Sequence, residues 1–193
     1  MKLDNVNILI VGVGGQGTLL ASKFLGLVAQ IIGKDVKVSE VHGMSQRGGS
    51  VVTCVKIGDE VFSPVIDLAE ADIMLSFEQL EAARYISYLK KGGSIITSTQ
   101  KIDPMSVVLG QAEYPDNVLP ALEKSGANVI ALDALTVAQE CGSQKAVNIV
   151  LCGVLSKIID DVTEEQWIEA LKATVPAKLY EINEKAFLKG RNM

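Results

Sequence analysis

Apolar and polar positions along this chain change their period several times, and each change marks an element. Residues 8–11 are a short β-branched apolar run, which reads as a central strand of a parallel sheet. The run ends in a glycine cluster, Gly12, Gly14, Gly15 and Gly17, and a long apolar segment follows over 19–32. The predicted unit is strand, tight turn, helix. Residues 36–41 alternate and predict a second strand; 51–57 predict a third. Gly58-Asp59 leading into Glu60-Val61-Phe62 predicts a β-hairpin. Further strands are predicted over 72–77, 94–97 and 128–132, and helices over 78–89, 118–124 and 135–140. Lys91-Gly92-Gly93 supplies a cation and glycines to stop the first of these helices. Residues 100–115, with Pro104 and Pro115, are expected to be irregular.

The segment 145–159 is apolar on nearly all its faces, as is 19–32. An outer helix of a layered domain should show a polar face, and leaving a Leu or Ile exposed forgoes about 1.5–3 kcal/mol. These two helices therefore suggest a subunit interface; the alternative is that C-terminal helices cover them. Thr163, with Glu164, Glu165 and Gln166 behind it, writes a capping box for a helix running to Lys172, and Pro176 opens a last helix to 188. The expected fold is α/β: a Rossmann-like, doubly wound, mostly parallel sheet with a β-hairpin insert and C-terminal helices, in a single domain over 1–193.

The 193 residues suffice for one full core. The chain is 48% hydrophobic and 21% charged, with mean hydropathy +0.29, yet Gly, Lys and Asp interrupt every apolar run before it reaches membrane-spanning length. The early Asp4 and the glycine turn argue against a secretory signal. The excess apolar surface is expected to meet another protein chain. A net charge of −5 without a basic cluster argues against nucleic acid. Cys54, Cys141 and Cys152 are widely spaced, with no C-x-x-C, so neither a zinc site nor an iron–sulfur cluster is encoded; three reduced thiols suit a cytoplasmic chain.

Two stretches carry candidate chemistry. Gly12-x-Gly14-x-x-Gly17, between a strand and a helix, fits the dinucleotide fingerprint. Gly12 would permit the sharp turn, Gly14 close approach of a ligand or another backbone, and Gly17 helix–strand packing, with free N–H groups at the helix start as an anion seat. The same glycines would also serve packing alone. A phosphate-loop NTPase fits worse, because Thr18 and Leu19 stand where Lys and Ser/Thr are needed. Glu40, 23 residues after Gly17, stands where an acid would hold a ribose diol, or is a solvated strand end. The loop His42-Gly43-Met44-Ser45-Gln46-Arg47-Gly48-Gly49-Ser50 contains the only histidine, and Arg47 with two glycines offers a planar fork and backbone donors to a phosphate or carboxylate. A capping His42 and an ion-paired Arg47 are the plainer alternative.

Three stretches together carry a resemblance: G-V-G-G-Q-G-T at 12–18, S-E-V-H-G-M-S-Q-R-G-G-S-V at 39–51, and N-x-x-x-x-G at 148–153. The chain resembles, over essentially its whole length, the γ-type subunits of the 2-oxoacid:ferredoxin oxidoreductases, and among them the indolepyruvate type. The resemblance implies oxidative decarboxylation of a 2-oxoacid with coenzyme A, giving acyl-CoA, carbon dioxide and reduced ferredoxin; it favours an aryl pyruvate and leaves pyruvate or a branched-chain oxoacid open. It places thiamine diphosphate, magnesium and 4Fe–4S clusters in a larger partner subunit, and leaves to this chain the shaping of the coenzyme A and substrate region. The chain lacks the G-D-G motif of thiamine enzymes, since Gly58-Asp59-Glu60 fails at its third position. It is not expected to be active alone. By resemblance the site-facing set is Gly12, Gly14, Gly15, Gln16, Gly17, Glu40, His42, Ser45, Gln46, Arg47, Gly48 and Gly49, with Met44 packing. The competing readings are a nicotinamide-dependent dehydrogenase, which has only His42 as a histidine candidate, and a coenzyme A- or nucleotide-binding module.

Overall fold

The computed structural model describes residues 1–42 and 48–193, and of His42 the backbone alone. β1 (Val6–Val13) passes through the glycine turn into α1 (Thr18–Ile31). β2 (Asp35–His42) and β3 (Ser50–Gly58) follow, then β4 (Ala71–Ser76), α2 (Gln79–Arg84) and β5 (Leu89–Ser98). α3 (Met105–Val108) and α4 (Val118–Lys124) lead to β6 (Asn128–Leu132). The chain then turns helical, with α5 (Ala134–Glu140), α6 (Val147–Lys157), α7 (Glu164–Thr174) and α8 (Tyr180–Arg191). The sheet has six strands in the order β2-β3-β1-β4-β5-β6. β1, β4, β5 and β6 are parallel neighbours, whereas β3 runs antiparallel to both β1 and β2. β1 is thus central, as its apolar run predicts, but at the seam between parallel and antiparallel halves.

Strand alternation builds two cores. Ile8 and Ile10 join Ile73, Leu75 and Ile96 beneath α1 and the C-terminal helices, while Leu9 and Val11 join Met74 and Ile95 beneath α2 and α4. The two apolar helices find their cover within the chain: α1 packs on α7, and α6 on α8. For α6, buried from Val147 to Ser156, this is the alternative reading; on α1, Leu19 stays 50% exposed. The α6–α8 crossing is backbone-close, because Gly153 lies against the Phe187 carbonyl and Gly190 against that of Val150. Phe24, Trp167 and Phe187 fill the space between α1, α7 and α8, with ring centroids 5.6–6.0 Å apart. The Thr163–Gln166 capping box forms as predicted, with both hydrogen bonds present.

The hairpin lies elsewhere than the turn signal suggests. β2 and β3 are its arms, paired from Asp35 with Gly58 to His42 with Val51, and residues 43–49 join them. Residues 60–62 form no strand: the Asp35 carboxylate accepts the Val61 N–H at 2.9 Å, and Pro64 follows. Lys91-Gly92-Gly93 is not a helix stop but part of β5, where Gly92 has φ +76° and the ladder to β4 shifts register between Ala71 and Ile73. The helix predicted over 78–89 ends at Arg84, and a 3₁₀ turn at Ile86–Tyr88 carries the chain into β5. Among the described residues, no helix is long and apolar enough to cross a membrane.

Candidate functional site

The C-terminal ends of β1 and β4 are where the connections part. β1 continues to α1 on one face, β4 to α2 on the other, and such a parting opens a crevice in α/β sheets. The glycine turn sits at its lip. Gly15 (φ +101°) and Gly17 (φ +87°) take the left-handed conformations, so these two make the turn rather than Gly12. Gly12 remains in β1 as a close-approach position: a Cβ there would stand 2.9 Å from Gln16 Oε1 and 3.2 Å from Phe77 Cβ. Gly14 N–H donates to the Gly49 carbonyl at 2.8 Å, bringing another backbone close, one of the two roles predicted for it.

Gln16 is engaged at both ends of its amide. Its Oε1 accepts the Val13 N–H at 2.7 Å and its Nε2 donates to the Phe77 carbonyl at 3.0 Å, which rivets the end of β1 to the end of β4. Gly17 caps α1 without a side-chain bond; its carbonyl accepts Asn148 Nδ2 at 3.1 Å, tying the turn to the start of α6. Glu40 is likewise occupied: Oε2 accepts hydroxyl bonds from Thr18 and Thr53, each 3.1 Å. It fastens β2 to the start of α1 and to β3. At the other root of the 43–49 loop, Gly48 has φ +79° and Ser50 Oγ donates to the buried Glu81 carboxylate. The side chain of His42, and Gly43, Met44, Ser45, Gln46 and Arg47, lie outside the described residues.

Beside the turn, two clefts of about 460 and 200 Å³ meet at Gly15, Gln16 and Lys145. The larger is also lined by Ser143, Asn148, Lys178 and Asn183. Among the described residues no Asp or Glu lines either cleft, and neither Lys145 nor Lys178 has a carboxylate partner. The positive end of α1, free of acidic residues in its first turn, opens on the same space. Two unpaired ammonium groups and a helix N-terminus without a carboxylate among them suit an anion. Sequence reasoning passed over Lys145 and Lys178. A signal was available for the first: Lys145 precedes α6, where a cation opposes the helix dipole.

Behind the lip stands Glu78, buried, the N-cap of α2. Its carboxylate accepts the Glu81 N–H at 3.0 Å, the Ile102 N–H at 3.3 Å and the Tyr114 hydroxyl at 2.5 Å. Burial pushes its pKa above the usual carboxylate range, while the Tyr114 hydroxyl pulls it back. Burial pushes the Cys152 thiol up to about 12 and raises that of Cys54 as well, which disfavours the nucleophilic thiolate at both. Among the described residues, no three His, Cys, Asp or Glu side chains come together in a way that could hold a metal ion.

Known proteins share this chain's sequence and shape. The indolepyruvate oxidoreductase subunit IorB of Thermococcus kodakarensis is 44% identical to it, covering 96% of this chain and 94% of its own. The IorB of Archaeoglobus fulgidus is 40% identical over 97% and 94%. A crystal structure of a keto/oxoacid ferredoxin oxidoreductase γ subunit from Geobacter sulfurreducens matches with TM-score 0.73 and 25% identity, covering 97% of this chain and 96% of that one. The pyruvate oxidoreductase subunit PORC of Thermotoga maritima, 19% identical, shares the fold with TM-score 0.72 over 98% and 96%. The profile of the pyruvate ferredoxin/flavodoxin oxidoreductase family matches residues 7–193, and the chain belongs to that family.

Proposed function

We propose that this chain is the smaller subunit of an indolepyruvate-type 2-oxoacid:ferredoxin oxidoreductase, which converts an aryl 2-oxoacid and coenzyme A to acyl-CoA and carbon dioxide while reducing ferredoxin. The observation that carries the reading is the near full-length identity to IorB chains. Thiamine diphosphate with magnesium, and 4Fe–4S clusters, supply the decarboxylation and the removal of electrons, and we assign them to a larger partner subunit. The sequence is consistent with that division, since its three cysteines are widely spaced and it holds no C-x-x-C.

The part left to this chain is to hold and orient. The clefts beside Gly15–Gly17 offer Lys145 and Lys178 to a phosphate-bearing group, and of the two organic reactants in this chemistry coenzyme A is the one that carries phosphates. Gln16 and Glu40 act as fasteners that fix the lip. His42, Ser45, Gln46, Arg47, Gly48 and Gly49 complete, in this proposal, the site-facing set, with Arg47 on a phosphate or carboxylate. Indolepyruvate- and coenzyme A-dependent reduction of a viologen dye by the anaerobically purified complex tests the function; a chain that copurifies with no cluster-bearing partner and binds NADH would overturn it. Replacing Lys145 and Lys178 by Gln in that complex is expected to raise the KM for coenzyme A about tenfold, with the 2-oxoacid KM unchanged, in line with losing charge-assisted contacts. An unchanged coenzyme A KM would remove the clefts from the site.

A further inference from the structure

We propose that Glu81 is a positioning residue: through Ser50 it holds the Gly48-Gly49 backbone against the glycine turn. Glu81 lies on α2, beneath the face of the sheet opposite α1, and its side chain is only 5% exposed. A carboxylate buried there costs several kcal/mol unless it is bonded, and α2 otherwise gives Ala82 to that core. Its bonds divide in a telling way. Oε1 takes Arg84 Nε at 3.1 Å, a partner on the same helix. Oε2 takes the hydroxyl of Ser50, which comes from β3. Tyr85 OH, 3.1 Å from Ser50 Oγ, completes the group; with the Ser50 proton directed at Glu81, Tyr85 is the donor.

Ser50 is therefore the side chain Glu81 binds beyond its own helix among the described residues. Ser50 follows Gly49 directly, and the Gly49 carbonyl is the acceptor for Gly14 N–H at 2.8 Å. A continuous line of bonds runs from α2 through Ser50 and Gly49 to the turn that opens on Lys145. A charge-assisted bond to a buried carboxylate is stiffer than a neutral one, and it fixes the first residue after the loop in one place. Gly48, with φ +79°, and Gly49 have no side chains to hold themselves, so their anchorage comes from outside.

The inference rests on the proposed oxidoreductase role only for its kinetic readout. The experiment compares wild type, Ser50→Ala, Glu81→Leu and Glu81→Gln in the assembled complex by coenzyme A kinetics, by thermal stability and by amide exchange at Gly14. Ser50→Ala and Glu81→Leu are expected to raise the coenzyme A KM about tenfold with kcat within about twofold, the loss of one charge-assisted bond. Glu81→Gln keeps an oxygen for Ser50 and should stay within about threefold of wild type. Gly14 N–H should exchange about tenfold faster in the first two variants. A lower melting temperature with unchanged KM and unchanged Gly14 exchange would overturn the positioning role. If Glu81→Leu does not assemble, Ser50→Ala decides. If the wild-type complex shows no coenzyme A-dependent activity, the functional reading fails by itself, and Gly14 exchange decides this one: faster supports it, unchanged overturns it.

Discussion

Alanine at Gly153 should destabilise the protein, although alanine is the better helix former. Propensity alone favours the substitution by about 1 kcal/mol. At Gly153 a new Cβ would fall on the carbonyl oxygen of Phe187, with Arg191 N at 2.9 Å and Gly190 Cα at 3.1 Å behind it. All three are backbone atoms of α8, so no side chain can swing aside, and the helix must move bodily. Overpacking costs about 1–3 kcal/mol, and a backbone collision belongs at the upper end. The net expectation is a loss of about 2 kcal/mol, or about 4–8 °C in Tm for a chain of this size. Gly26 in α1 provides the internal control, because a Cβ there meets nothing within 4 Å. Gly26→Ala should raise stability by about 0.5–1 kcal/mol. Thermal and urea unfolding of the two variants beside wild type gives both signs in one experiment. A Gly153→Ala protein as stable as wild type would refute the argument from the crossing.

Two further outcomes follow from the buried groups. Glu78 titrates above its unfolded value, so its contribution to stability is present below about pH 4.5 and is lost as pH rises through the folded pKa. The Tyr114 hydroxyl favours the charged form; Tyr114→Phe should therefore cost more stability at pH 7 than at pH 4.5, and equal losses in pH-dependent urea unfolding would contradict this. Alkylation at pH 8 followed by mass spectrometry should find Cys141 and Cys152 protected in the folded chain and Cys54, half-buried, modified slowly; rapid labelling of Cys152 would show that its surroundings open.

Much of the fold was legible because local chemistry and tertiary context agree. The run 8–11, the caps at Thr163 and Gln166, and the boundaries of α4 and β6 all follow from residues whose local preference matches their place. The failures share a cause: a remote partner reassigned a local signal. Gly58-Asp59 looks like a hairpin turn, yet Asp35, from the start of β2, claims the next N–H. Gly92 and Gly93 look like a helix stop, yet they serve an irregular β4–β5 ladder. Apolar periodicity in α1 and α6 correctly marked burial but carried no information on who does the burying. In the site, the glycines were visible because backbone geometry demands them. Lys145 and Lys178 were not, because the fold brings together two cations 33 residues apart. The structure brings Gln16 and Glu40 beside the glycine turn, where both ends of the Gln16 amide and Oε2 of Glu40 are bound to the protein itself.

The β2–β3 ladder has a consequence for how such a protein can diversify. Eight residue pairs run without interruption from Asp35–Gly58 to His42–Val51, and Glu40 and Glu81 fasten its two arms near the tip. The stem thus keeps its register independently of what is spliced between the arms. Doubling the length of a loop adds only about 0.6 kcal/mol of closure entropy. A change of length or sequence between the two arms should therefore cost the frame little stability, and the frame can be inherited unchanged.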